Sequence, residues 1–266
     1  MNDYDSQDDI VTIRIPRNVE VKVAAKSIIG TREYQQDAYY VAENDYAKLA
    51  VVCDGMGGME GGEKASQKAV EKLVEDFEKW NGENVHAFLK EEAIKMDREV
   101  SSLYDEQGKL LDAGTTVVAV VIISNKMYWL SVGDSRIYVL RGNEMQCVTR
   151  DHNYGYKMEQ KLKNGEVSEN DFLCEQKKFE ALVSYIGMGQ PKMIDVPKRP
   201  FELMYDDRIL MCSDGLYKCL KKEVIENLLL SCYKDVNTSV DDLISAVENS
   251  PKKNKDNTTV IMMSYE

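Results

Sequence analysis

The sequence predicts one α+β domain, and two observations lead to this prediction. Short apolar runs of strand length occur in the early, middle and late thirds of the 266 residues, with pairs of amphipathic helical patterns between them. The chain also shows no array of internal repeats. We therefore expect residues 1–266 to form a single domain, with a disordered tail at residues 1–9 because these carry four aspartates and almost nothing apolar.

The first third of the chain contains strand patterns followed by helical ones. Apolar runs of strand length predict four strands, at residues 10–15, 19–25, 38–42 and 49–53. An apolar stripe over residues 63–80 predicts a helix. Asn84 is placed to cap a second helix, whose apolar residues from Leu89 to Leu103 recur at spacings of four and three. Both apolar stripes are more typical of helices that pack on the protein's own core than of helices that form a groove for a partner.

The rest of the chain returns to strands, with an irregular segment in between. Four β-rich runs, at residues 115–123, 127–132, 137–140 and 145–148, are joined by hairpin-like connections and predict an antiparallel meander. From residue 151 to about residue 200 the sequence shows only polar helical and irregular segments, which is typical of a lid or insertion. The remaining elements are predicted strands at residues 203–205, 209–212 and 258–263 and predicted helices around residues 224–229 and 240–247.

The composition is that of a globular protein with an acidic balance of charge. Hydrophobic residues make up 43% of the chain, and 34 basic residues against 46 acidic ones give a net charge of −12. This excess argues against a surface for nucleic acid or anionic membranes. The six cysteines show no Cys-x-x-Cys spacing, and no apolar run has the length of a secretory or membrane-spanning segment. We therefore expect a cytoplasmic protein with reduced thiols.

A carboxylate followed by glycines is the most informative local motif. The strand pattern at residues 49–53 stops at Asp54, and four of the next seven residues are glycine. A carboxylate at the start of an open glycine turn suits a hard cation, which takes oxygen ligands. A phosphate-binding loop is the alternative, but that motif ends in Gly-Lys-Ser/Thr, and this chain lacks that ending.

Four further aspartates also flank apolar strand patterns. Asp214 ends a strand pattern in Asp-Gly as Asp54 does, which is expected if neighbouring strands deliver carboxylates to one place. Asp134 follows a strand pattern, whereas Asp37 and Asp256 precede strand patterns. One such aspartate alone is better explained by a turn. Five ionised carboxylates in one place would require cations, because unpaired buried charges are costly.

Six short motifs occur in order along the chain. They are Gly30-Thr-Arg-Glu-Tyr-Gln-Gln-Asp37, Val52-Cys-Asp-Gly-Met-Gly-Gly58, Gly114-Thr-Thr116, Val132-Gly-Asp-Ser-Arg136, Cys212-Ser-Asp-Gly-Leu216 and Asp256-Asn-Thr-Thr-Val260. Together they resemble the metal-dependent Ser/Thr protein phosphatase family, type 2C, and are most similar to its compact bacterial members. The resemblance spans residues 22–264. It implies an α-β-β-α sandwich of two antiparallel sheets flanked by helix pairs, with a metal site at one end.

The resemblance implies roles for the carboxylates at a centre of two metal ions. Asp54 would bridge two Mn²⁺ or Mg²⁺ ions, and the Gly55 carbonyl would complete the shell of the second ion. Asp214 and Asp256 would ligate the first ion. Asp134 would form a third, weaker ion site together with Asp214. A water that bridges the two main ions would become hydroxide-like near neutral pH and attack the phosphorus in line.

The resemblance also implies residues that support the ions and bind the substrate. Asp37 and Gln36 would hold or orient metal-bound waters, with Asn257 beside them. The Arg32 guanidinium would grip the substrate phosphate through its fork of donors. Residues 155–195 would form a flap subdomain that lies beside the site and tunes substrate access.

Two positions depart from the family pattern. Gln36 occupies a place where many members have a glutamate, so it contributes no charge and the second ion is expected to bind less tightly. Met56 occupies a place where eukaryotic relatives often have a histidine, proposed as the acid for the leaving oxygen. Of the two histidines in the chain, His86 is expected to be solvated, and His152 is expected to make structural hydrogen bonds, with a role as the acid as the alternative. A metal-bound water is another candidate acid.

The function expected from the resemblance is hydrolysis of phosphoserine and phosphothreonine in proteins. The cofactors would be two Mn²⁺ or Mg²⁺ ions and the partners phosphorylated proteins, among them Ser/Thr kinases and their substrates. We expect a monomer, with no nucleic-acid partner and no membrane segment. Two alternatives stay open: a catalytically weak or silent relative that binds phosphoproteins as a regulatory module, which Gln36 motivates, and an enzyme for small phosphoesters or nucleotides.

Overall fold

The computed structural model describes residues 20–58, 61–230 and 235–266. The tail predicted at residues 1–9 and the strand predicted at residues 10–15 lie outside these ranges. Within the described ranges, no helix is both long and apolar enough to cross a bilayer.

The described residues form eleven strands and seven α-helices. The strands are β1 (Val21–Ile28), β2 (Asp37–Glu43), β3 (Lys48–Gly57), β4 (Ala113–Thr115), β5 (Val117–Ile123), β6 (Lys126–Val132), β7 (Arg136–Arg141), β8 (Glu144–Cys147), β9 (Phe201–Glu202), β10 (Asp207–Cys212) and β11 (Thr258–Tyr265). The helices are α1 (Gly61–Lys79), α2 (Val85–Ser101), α3 (Tyr154–Lys163), α4 (Glu169–Glu175), α5 (Asp214–Cys219), α6 (Lys222–Leu230) and α7 (Val236–Glu248). A 3₁₀ turn, Gln176–Lys178, follows α4.

The strands form two antiparallel sheets. The first has the order β1-β11-β10-β7-β8. The second has the order β2-β3-β5-β6-β9, and β4 pairs with the far end of β3. In the second sheet Asp37 at the start of β2 lies opposite Asp54 in β3. This register brings two of the predicted site carboxylates together.

The two sheets pack face to face because their central strands are apolar on both sides. Along β3, Ala50 and Val52 pack against the other sheet, whereas Leu49, Val51 and Cys53 pack against α1 and α2. The residues of β11 alternate in the same way between the facing sheet and the layer of α5, α6 and α7. The architecture is therefore the predicted α-β-β-α sandwich, with one apolar layer between the sheets and one under each set of helices.

Most predicted elements are confirmed, but the prediction of a single meander is wrong. β5 and β6 form a hairpin in the second sheet, whereas β7 and β8 form a hairpin in the first. The connection at residues 133–135, which resembles a hairpin turn in sequence, carries the chain from one sheet to the other. The strand predicted at residues 203–205 lies two residues earlier, because Phe201 and Glu202 are the residues that pair with β6.

Candidate metal centre

The predicted site residues meet in one cavity at an end of the sandwich. The cavity has a volume of about 390 Å³. Eight of the nine predicted site residues line it, namely Arg32, Gln36, Asp54, Gly55, Asp134, Asp214, Asp256 and Asn257. The ninth, Asp37, lies beside Asp54 in the β2–β3 pair. Asp54 in β3 and Asp214 after β10 belong to different sheets, so these two do not come from neighbouring strands as expected, whereas Asp214 and Asp256 flank the neighbouring strands β10 and β11.

Asp54 lies inside a strand, whereas the sequence predicted a turn at this point. β3 continues to Gly57 because residues 55–57 pair with β4. The Asp54 backbone N–H donates to Thr116 Oγ1 (3.1 Å), and its carbonyl accepts from the Thr115 hydroxyl (2.9 Å). Both backbone groups of Asp54 are therefore fixed, which holds its side chain at the wall of the cavity.

Gly55 is required by close packing of the backbone. A Cβ at this position would overlap the carbonyl oxygens of Gly62 and Gln36. The Gly55 N–H donates to the same Gln36 carbonyl (3.0 Å). The missing side chain lets the first turn of α1 lie directly against the end of β3.

Two basic side chains hold the carboxylates of the other sheet. Lys218 Nζ donates to Asp214 Oδ2 (2.6 Å) within α5, a short helix that the sequence did not predict. Arg32 Nη2 donates to Asp256 Oδ2 (2.6 Å) just before β11. In this arrangement, no three acidic, histidine or cysteine side chains of the described residues lie close enough together to hold one ion. A metal ion bound here has to use the carboxylate oxygens that Lys218 and Arg32 leave open, or displace these two side chains.

The charge of the cavity nevertheless favours cations. Burial, followed by the charges of Asp37 and Asp214, raises the pKa of Asp54 well above its usual range. Burial and the charge of Asp214 also raise the pKa of Asp134 to about 6. Both shifts mean that the ionised carboxylates are destabilised by their surroundings. Because Mn²⁺ and Mg²⁺ prefer sets of oxygen donors, the residues present fit the two ions that the resemblance implies.

Asp37 lies behind Asp54 and carries an oxygen without a partner. The residue is 8% exposed, and its Oδ2 accepts from Ser213 Oγ (2.8 Å) and Thr259 Oγ1 (2.7 Å). Its Oδ1 is buried and has no hydrogen-bond partner among the described residues. Burial outweighs the two hydrogen bonds and raises the pKa of Asp37 to about 7. A buried, unsatisfied carboxylate oxygen at this place fits the predicted role of holding water beside the ions.

Asn257 ties together the loops that carry Arg32 and Gln36. Its Oδ1 accepts from the Gln36 backbone N–H (2.8 Å). Its Nδ2 donates to the carbonyls of Ile29 (2.9 Å) and Tyr34 (3.0 Å), which bracket the arginine. Arg32 is thereby held at the edge of the cavity with 58% of its side chain exposed.

Thr116, Lys218 and Glu180 also line the cavity, and no individual role was predicted for them from the sequence. Thr116 fixes the backbone of Asp54, as described above. Lys218 pairs with Asp214, and Glu180 Oε2 from the segment predicted as a flap lies 3.7 Å from the Lys218 ammonium. The only sequence signal for Lys218 is its spacing of four from Asp214, which places both side chains on one face once α5 is known to be a helix.

The two histidines lie away from the cavity lining, and Met56 is part of that lining. His152 is fully buried, and its Nδ1 accepts from the Gly133 N–H (3.2 Å), which fits the expected structural role. His86 is half-buried rather than solvated as predicted, because its Nδ1 packs 3.1 Å from the Pro197 carbonyl oxygen.

Comparisons by sequence and by structure find the same class of proteins, the serine/threonine phosphatases. The model of the family described as protein phosphatase 2C matches residues 26–255. The serine/threonine phosphatase Stp of Listeria welshimeri is 29% identical over 205 residues, which cover 75% of this chain and 79% of that protein. The solved S. agalactiae serine/threonine phosphatase has a TM-score of 0.80 at 25% identity, covering 93% of this chain and 100% of that one. The catalytic domain of the phosphatase PstP, solved in complex with two manganese ions, has a TM-score of 0.74 at 24% identity, covering 93% and 99%.

Proposed function

The chain belongs to the protein phosphatase 2C family and is a metal-dependent protein serine/threonine phosphatase, and we propose that its catalytic centre is the cavity around Asp54. The observation that carries this assignment is the convergence of four carboxylates from both sheets, with Arg32 at the edge. Such a cavity combines ligands for cations with a donor for phosphate oxygens, and phosphoryl transfer needs both.

Asp54, Asp214 and Asp256 would hold two Mn²⁺ or Mg²⁺ ions, with the Gly55 carbonyl as a further ligand. When bound, the ions supply an activated water and positive charge for the phosphoryl oxygens. Two manganese ions are present in the PstP catalytic domain, which shares this fold. The fixed backbone of Asp54 supports its assignment as the residue shared by both ions, since a rigid ligand holds two cations at a constant separation. The unsatisfied Oδ1 of Asp37 would hold water next to them.

Arg32 would bind the phosphate of the substrate. Its guanidinium is always charged and offers a planar fork of N–H donors that matches phosphate oxygens. The exposed side chain lies at the cavity edge, where a phosphoserine or phosphothreonine side chain would enter. Asn257 and the Gln36 backbone keep the Arg32 loop in place, so the donor is positioned before substrate arrives.

The substrates of this centre would be phosphorylated proteins, among them autophosphorylated Ser/Thr kinases and the targets of those kinases. We propose that the enzyme acts on them as a monomer in the cytoplasm. Residues 155–195 would form the flap, because Glu180 and Leu182 from this segment line the cavity and would contact a bound peptide. The alternative of a silent binding module is weakened by the retention of every proposed ion ligand in the cavity.

Release of phosphate from a phosphothreonine peptide tests the proposal. We expect turnover that requires Mn²⁺ or Mg²⁺ and survives alkylation by iodoacetamide. The reason is that Cys53 and Cys212 are fully buried, and burial raises the pKa of both thiols. A panel of nucleotides and small phosphoesters tests the alternative substrate class. Calorimetric binding of Mn²⁺ without turnover on any substrate would instead support a phosphoprotein-binding module.

A further inference from the structure

Lys218 lies where the family resemblance implies a third metal ion. Its Nζ is 2.6 Å from Asp214 Oδ2, 4.0 Å from Asp134 Oδ2 and 3.7 Å from Glu180 Oε2. Asp134 and Asp214 are the two carboxylates to which the resemblance assigns that ion. A positive charge that belongs to the chain itself therefore lies between them.

Helix α5 holds this lysine in place. Asp214 is the first residue of the helix and Lys218 follows four residues later, so their side chains lie on one face. Gly215 packs against the Asn257 carbonyl so closely that a Cβ would overlap it. The Lys218 side chain is only 29% exposed, and the side chains of Asp134 and Asp214 are 6% and 15% exposed. The ammonium is thus sheltered within the site and not displayed on the surface.

A divalent ion shared by Asp134 and Asp214 would compete with the ammonium for the same oxygens. Mg²⁺ binds carboxylate oxygens at about 2.1 Å, but Asp214 Oδ2 already accepts a hydrogen bond from Lys218. A dication placed between the two carboxylates would lie close to the ammonium, and like charges repel strongly where water is scarce. The ammonium is bound by Asp214 Oδ2, so the ligand for a catalytic ion on this carboxylate would be Oδ1.

We propose that the Lys218 ammonium takes the place of a third metal ion, so that the enzyme works with two divalent ions and one resident lysine charge. The proposal rests on the assignment of Asp54, Asp214 and Asp256 to the two catalytic ions. Because the lysine charge is covalently attached, its presence does not depend on the concentration of metal. The same ammonium contacts Glu180, so it also links the proposed flap to the centre.

Counting bound Mn²⁺ tests this proposal without reference to activity. By equilibrium dialysis and elemental analysis at saturating Mn²⁺, the wild-type chain is expected to hold two ions. Lys218→Asp places a carboxylate four residues after Asp214 and beside Asp134, and this variant is expected to hold three ions, the third more weakly. Lys222→Asp is the matched control, since it makes the same charge change at a lysine that is 58% exposed, and it should hold two.

Three ions in the wild-type chain, or two in a folded Lys218→Asp variant, would overturn the proposal. A wild-type chain that binds no ion would overturn the proposed function and this inference with it, so the two failures are distinguishable. A crystal structure of the wild-type protein in Mn²⁺, with anomalous data, gives a second test that needs no variant. We expect two anomalous peaks and Lys218 Nζ between Asp134 and Asp214; a peak in contact with Asp134 would contradict us.

Discussion

A buried glutamate between helices α1 and α2 should make the protein less stable as the pH rises. Glu92 is fully buried, and its Oε1 accepts from Lys95 Nζ (2.7 Å), which also donates to Asp76 Oδ2 (2.8 Å). Its Oε2 is buried without a hydrogen-bond partner among the described residues. Burial, which outweighs the hydrogen bond from Lys95, raises the pKa of Glu92 from 4.5 to about 7. The protonated carboxyl is therefore the favoured form in the folded protein.

The sign of the effect follows from proton binding. Between pH 4.5 and about 7 the folded chain keeps a proton on Glu92 that the unfolded chain has released. The free energy of unfolding therefore falls as the pH rises through this window, and it levels off once the folded carboxyl is also ionised. At about 1.4 kcal/mol for each pKa unit, the difference between the two pKa values corresponds to about 3 kcal/mol as an upper bound.

Glu92→Gln removes this titration and leaves the Lys95–Asp76 contact in place. We expect the free energy of unfolding of the variant, minus that of the wild type, to increase by about 2 to 3 kcal/mol between about pH 5 and about pH 8. Urea unfolding at several pH values measures this difference, and all other groups titrate alike in both proteins. Glu91→Gln, at the exposed neighbouring position, is the control and should show a constant difference. A difference for Glu92→Gln that does not change with pH would refute the reasoning.

Two further predictions concern the centre itself. Arg32→Lys should lower kcat/KM for a phosphothreonine peptide by about tenfold or more, because an ammonium lacks the fork of donors. Steady-state kinetics at saturating Mn²⁺ checks this, since Arg32 also holds the proposed ion ligand Asp256. Unchanged kcat/KM would exclude Arg32 as the phosphate ligand. Gly215→Ala should lower the free energy of unfolding by about 1 to 3 kcal/mol, because its Cβ would overlap the Asn257 carbonyl. Gly58→Ala has open space around it and is the control; equal urea midpoints for the two variants would contradict the packing argument.

Elements with a strong local signal could be predicted from the sequence. Asn84 caps α2 as expected, with its side chain accepting from the Ala87 N–H, because this cap needs only residues that are adjacent in the chain. The assignment of strands to sheets could not be predicted in the same way. β3 and β11 are buried on both faces, so their apolar pattern indicates a strand without indicating its neighbours. For the same reason the crossing between β6 and β7 resembled an ordinary hairpin.

The residues of the site could be predicted from the sequence, but the secondary structure around them could not. Asp54 and Asp214 share an Asp-Gly motif, yet Asp54 lies inside a strand and Asp214 begins a helix. Pairing with β4 extends β3 through its glycines, and this contact with a distant segment leaves no local signal. Helix α5 has six residues, which is too short for a helical periodicity to be recognised. Lys218 was missed because its approach to Asp214 depends on that helix.

The central claim is that the Asp54 cavity holds the metal ions that drive phosphate release. The most direct measurement is Mn²⁺ binding by calorimetry together with turnover of a phosphothreonine peptide, for wild type and Asp54→Asn. Asp45→Asn, at an exposed position, makes the same chemical change as a control. We predict that Asp54→Asn weakens Mn²⁺ binding and lowers kcat by at least about a hundredfold, while Asp45→Asn changes neither. An Asp54→Asn variant with wild-type Mn²⁺ binding and wild-type turnover would contradict the assignment of the centre.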